Sequence, residues 1–140
     1  IYEETLEATA NGDDYTLFAP SNAAFDLIGD QLETLDEDTI GRVLLFHATP
    51  GIERSSMMKE KCGDTLEMFD GSMSRTMCRR DKTTGEEMII QKGGGNRRNS
   101  LLPTVVLADI VACNGIIHVI DHVMLPNYIP DFDSTTNISH

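Results

Sequence analysis

The chain has 140 residues, 40% of them hydrophobic, which suits one domain with its own core. Its net charge of −12 argues against nucleic acid and anionic membranes as partners, since both are held through clustered Lys and Arg. No apolar run approaches the roughly 20 residues of a membrane helix, so direct membrane insertion is not expected. No initiator Met and no signal peptide open the chain, which reads as an excised piece of something longer.

Ile1 to Ala10 reads as a helix with Tyr2, Leu6 and Thr9 on one side, ended by the loop Asn11-Gly12-Asp13-Asp14. Tyr15 to Ala19 reads as a short buried strand that Pro20 stops, and Ser21 or Asn22 can cap the helix that follows. Phe25, Ile28, Leu32 and Leu35 recur at helical spacing, with Gly29 a point where the run can break. A further helix starts at Leu35-Asp36-Glu37-Asp38, whose acidic turn complements the helix dipole, and Ile40, Val43, Leu44 and His47 share one face. Ile52 to Lys61 is a weaker helical piece with Met57 and Met58 expected inward. From Cys62 the pattern is that of strands: Leu66 and Met68, a turn at Asp70-Gly71, Met73 and Met77, a turn at Asp81 to Gly85, then Met88-Ile89-Ile90. Gly93-Gly94-Gly95-Asn96 reads as a mobile loop. It is no phosphate loop, because neither G-K-[ST] nor a helix follows.

The chain is organised around Thr104 to Pro126, its longest apolar block, split by Asn114-Gly115. β-Branched residues dominate both halves, so the block reads as two long strands joined by a type I′ turn with positive φ at Asn114 and Gly115. Both faces are apolar, which predicts a hairpin covered on both sides. Helices first and strands later indicate an α+β fold. Residues 128–140 read as a polar tail behind a single domain spanning 1–127.

Basic residues gather at Arg79, Arg80 and Lys82 and at Lys92, Arg97 and Arg98, both sets expected on solvated loops. Cys62 and Cys78 bracket a hairpin and either meet as a disulfide or stand as free thiols. Cys113 reads as a buried free thiol. Asn137-Ile138-Ser139 fits the N-glycosylation sequon, which also points to an extracellular context. His47, on an apolar helix face, reads as a core histidine. His118 and His122 are expected on one strand face, with His118 and Asp121 as buried hydrogen-bonding groups. No nucleophile signature or metal-ligand spacing accompanies them, and Asp36-Glu37-Asp38 lacks the spacing of a calcium loop. No enzyme activity, metal or cofactor is therefore expected.

Three segments resemble the motifs of fasciclin-like domains. Tyr15-Thr16-Leu17-Phe18-Ala19-Pro20-Ser21-Asn22-Ala23-Ala24-Phe25 is similar to the first signature, and Asn114-Gly115-Ile116-Ile117-His118-Val119-Ile120-Asp121 to the second. Leu44 to Gly51 resembles the central Tyr-His segment, with Phe46 in place of Tyr beside His47. The resemblance implies an extracellular, secreted or cell-surface-anchored fold, a wedge-like β-sandwich flanked by N-terminal helices. It implies cell adhesion or matrix binding without catalysis, through a cell-surface or matrix protein or through self-association. A glycan- or small-molecule-binding domain is the alternative. In some members an Asp-Ile pair ahead of the second motif contacts integrins. The matching pair here is Asp109-Ile110, so Asp109, Ile110 and His47 are the adhesive candidates, while Pro20, Asn22, Asn114, Gly115, His118 and Asp121 are read as structural.

Overall fold

A computed structural model of the chain describes residues 14–97 and 101–126. The expected helix at 1–10, the sequon at Asn137 and the polar tail lie outside them. Among the described residues seven strands form two sheets. Sheet A runs β2 (Ala48–Pro50), β1 (Tyr15–Pro20), β7 (Gly115–Ile120), β6 (Val105–Ala112), and sheet B runs β3 (Thr65–Glu67), β4 (Met73–Arg80), β5 (Glu87–Lys92). Helices α1 (Asn22–Leu32), α2 (Glu37–Leu45) and α3 (Ser55–Glu60) fill the connections. This is the two-sheet α+β architecture that the motifs implied.

The two outer signatures lie side by side. β1 pairs parallel with β7, from Tyr15↔Gly115 through Phe18↔His118 to Pro20↔Ile120. At the end of β1 the chain turns a fixed corner. Ser21 N–H donates to the Ile120 carbonyl at 2.9 Å, and the Ser21 hydroxyl accepts from Ala24 N–H at 3.2 Å. Ser21 is thus the cap of α1, while Asn22 is its exposed first residue. Asp36 caps α2 by accepting from Thr39 N–H at 2.7 Å. The Thr39 side chain and N–H together hold the Asp36 carboxyl below the ordinary range.

Phe18, Phe46, Met58, Met68, Ile89, Ile120 and Met124 form the main core, which draws on both sheets. Three of these are methionines, used as adaptable filler. Met57 and Met73, by contrast, are exposed. The outward tilt of Met73 follows from β4's register. Its inward positions are Ser74 and Thr76, which bond to the buried Gln91: Thr76 Oγ1 donates to Gln91 Oε1 at 2.7 Å, and Gln91 Nε2 donates to Ser74 Oγ at 2.7 Å. A satisfied polar chain thus crosses the core side of sheet B. Phe25 is also partly exposed rather than packed inward; Ala24 carries the buried face of α1.

The central hairpin departs from the reading of the sequence in three ways. First, β6 is a sheet edge, with Val106 58%, Leu107 57%, Ile110 37% and Val111 76% exposed. Second, the turn is Cys113-Asn114, closed by the pair Ala112↔Gly115, and neither Asn114 nor Gly115 has positive φ. Glycine is required at 115 for space instead: a Cβ there would overlap the Tyr15 carbonyl oxygen. Third, Cys113 is exposed at the tip, not buried.

The Gly93–Asn96 loop is pinned rather than mobile. The buried Asn96 accepts from Gly93 N–H (3.0 Å) and Leu125 N–H (2.9 Å) and donates to the Val123 carbonyl at 3.0 Å. A Cβ on Gly93 would strike the Leu125 carbonyl and the Phe46 ring. Arg79, Arg80 and Lys92, expected on loops, lie on β4 and β5. Cys62 and Cys78 are joined as a disulfide that ties the chain after α3 to β4.

Candidate functional site: a bulged sheet edge held by a buried histidine

Between Leu107 and Ile110 the β6–β7 register slips, and Asp109 takes φ 62°, the only positive φ among the described non-glycine residues. Such a conformation is costly for a side-chain-bearing residue and persists where neighbours fix it. Here they do. Asp109 N–H donates to His118 Nδ1 at 3.1 Å. The Asp109 carboxylate accepts from Ser55 N–H at 2.8 Å and from the Ser55 hydroxyl. His118 Nε2 in turn donates to the Glu53 carbonyl at 2.7 Å. Because Nδ1 accepts, the proton of this fully buried imidazole sits on Nε2. Burial by itself would raise the Asp109 carboxyl, but the Ser55 hydroxyl and N–H, with the charge of Arg54, hold it below the usual value.

The Glu53–Ser55 stretch is itself anchored to β1. Glu53 N–H donates to Thr16 Oγ1 at 2.8 Å, Thr16 Oγ1 donates to the Gly51 carbonyl at 2.7 Å, and Glu53 carries an ion pair to Lys61 at 2.8 Å. The bulge therefore rests on β7, β1 and the start of α3 together. Its product is an outward Ile110. Cross-strand partners share a face, so the pairs Leu107↔Val119 and Ile110↔Ile117 place four apolar side chains together on sheet A, two of them on the open edge strand.

The candidates from the sequence separate accordingly. Asp109 and Ile110 are exposed neighbours on this edge. His47 is not on any surface. It is 1% exposed, its Nδ1 bonds the Val43 carbonyl at 2.6 Å, and its Nε2 accepts from Met124 N–H at 2.9 Å. Burial pushes its pKa down to about 4, against the raising effects of the Val43 carbonyl and Asp70. Phe46 beside it is buried too, so this segment belongs to the core and carries no contact. His118 and Asp121 do not pair. Asp121 accepts from Thr104 N–H at 2.8 Å, returns its own N–H to the Thr104 carbonyl, and meets His122 Nδ1 at 2.9 Å. His122 lies beyond the end of β7 rather than on its face. Ser55, Glu53 and Thr16 were not legible as parts of the site, since they stand 37 to 65 residues from their partners with no local signature. Among the described residues the one cluster with metal-ligating atoms in reach is Cys62, Cys78 and Glu87, and its two sulfurs are spent on the disulfide.

Two sheets, one of them built on the paired signature strands, with a bulged edge braced from within, make up a domain of the fasciclin type. The fasciclin domain family model matches residues 2–126, and the chain belongs to that family. It is 30% identical over 132 residues to human periostin, covering 91% of this chain and 14% of periostin. It is 29% identical over 129 residues to Protein sll1483 of Synechocystis sp., covering 88% of this chain and 61% of that protein. The chain thus spans only part of either relative. Among solved structures, the FAS1 domain pair of the insect cell adhesion molecule Fasciclin I superposes with a TM-score of 0.70 at 20% identity, over 88% of this chain and 40% of that one. No helix among the described residues is long and apolar enough to cross a membrane.

Proposed function

We propose that this domain is a non-catalytic adhesion module that works outside the cell and binds a cell-surface or matrix protein through the β6 edge. The observation that carries this reading is the exposed apolar strand from Val106 to Val111, bent at Asp109 so that Ile110 projects. Exposed apolar groups gathered on a strand edge are a liability unless a partner covers them. The Cys62–Cys78 disulfide supports an oxidising compartment. Asp109 contributes by shaping the edge, because its carboxylate is already committed to Ser55.

The test is attachment of cells to the immobilised domain. Ile110→Ala removes a projecting side chain and leaves the Asp109 bonds in place, so attachment should fall about tenfold with an unchanged melting temperature. Attachment at the wild-type level in both Ile110→Ala and Asp109→Ala, with the fold intact, would remove the edge from the contact.

A further inference from the structure

The strands of sheet B carry a second surface that the β6 reading leaves unused. Seven of the chain's eleven Lys and Arg lie between Arg75 and Arg98, against three acidic residues in that stretch: Asp81, Glu86 and Glu87. The pairing register places Arg75 directly opposite Lys92 on the face of sheet B turned away from the core, with Met77 the next outward position along β4 and Arg79 the one after it. Like charges facing each other across a ladder are destabilising unless an anion offsets them. Arg75 and Arg80 direct guanidinium N–H groups to backbone carbonyls, of Gly63 and Gly85, rather than to carboxylates. Beside them on the same face stand the exposed Met73 and its partner on β3, Glu67, the acidic residue at that edge of the patch.

The opposite charge is on the same chain. Residues 14–41 hold seven carboxylates and no Lys or Arg. On α1 and at the start of α2, Asp26, Asp30, Glu33, Asp36, Glu37 and Asp38 are all exposed, and the apolar Phe25 and Leu27 stand open among them. We propose that the outward face of sheet B, centred on Arg75, Lys92 and Met73, docks onto the α1–α2 face of a second copy of this chain. The contact is heterologous, so each copy offers one surface of each kind and copies join head to tail. A separate polyanion would neutralise Arg75 and Lys92, but it would leave Phe25, Leu27 and Met73 in water. A second copy covers both sets of residues. The contact uses neither β6 nor Ile110, so it stands or falls independently of the adhesive edge.

Sedimentation equilibrium of the whole chain tests it. At about 20 mM salt the wild type should associate in a concentration-dependent way, and at about 500 mM salt, where the screening length falls to a few ångströms, it should be monomeric. Arg75→Glu with Lys92→Glu, and separately Asp30→Lys with Glu33→Lys, should each weaken association at least about tenfold. Arg75, Asp30 and Glu33 are exposed and Lys92 is half-buried, and circular dichroism melts are to show that each variant is folded. An equimolar mixture of the two variants should associate again, because each supplies the charge that the other has lost. A wild type that stays monomeric at low salt, association that survives either reversal, or a mixture that stays monomeric overturns the proposal. A monomeric chain that binds heparin through Arg75 and Lys92 also overturns it, in favour of a sulfated glycan.

Discussion

β6 and β7 come from one apolar block and read alike in sequence, yet one is a spine and the other an open edge. β7 is hydrogen-bonded on both sides, by β1 and β6, and Ile116, His118 and Ile120 are buried. Among the described residues β6 has a partner on one side only, and it exposes four large apolar residues. Composition is therefore a poor guide to burial here; the parallel pairing of β1 with β7, between segments 100 residues apart, decides it. The difference also divides labour. The spine supplies rigidity, and through His118 it sets the shape of the edge.

The largest expected effect is on the spine. Gly115→Ala forces a Cβ into the Tyr15 carbonyl, where backbone on both sides has little room to move. A loss of about 4 kcal/mol is expected in chemical denaturation. A near-neutral result would show that the β1–β7 spacing yields, and the spine would lose its special status.

His118→Ala comes next. It orphans the Asp109 N–H and the Glu53 carbonyl and opens a void beside the Phe18 ring, whose centroid lies 5.5 Å away. About 3 kcal/mol should be lost, and attachment should fall with it because the bulge is released. Loss of stability with full attachment would uncouple the histidine from the edge.

His47 gives a pH signature of the interior. Its pKa drops from 6.5 to about 4 on folding, so between these values the unfolded chain binds the extra proton. Stability should therefore decline as pH falls from about 6.5 to about 4, by a total of about 3 kcal/mol, and His47→Gln should flatten that slope. Asp109, held below its usual range, acts in a lower window: its contribution is present above about 4 and lost as pH falls further. A slope that persists in His47→Gln would assign the effect to another group. The smallest effect belongs to the edge. Val111→Ala should change stability by no more than about 0.5 kcal/mol, since the side chain is 76% exposed.

Much of this was readable from local pattern. The corner at Pro20-Ser21, the helix start with its acidic turn at Asp36 to Asp38 and the hairpins of sheet B follow from residue types with a local physical meaning. Exposure of β6 was not, because it depends on strand order. The brace under Asp109 was not, because Ser55 and Glu53 reach it from across the fold. The turn residue Gly115 was assigned for the wrong reason: a glycine needed for close approach looks the same in sequence as one needed for positive φ. The Gly93–Asn96 loop misled similarly, since glycines that admit a neighbouring backbone and ring resemble those of a mobile segment.

The most direct test of the division between spine and edge is cell attachment to immobilised Leu107→Ser/Ile110→Ser, read beside its melting temperature. The account predicts a melting temperature within a few degrees of wild type and attachment reduced about tenfold or more. Wild-type attachment by this folded variant would contradict it and place adhesion on another face of the domain.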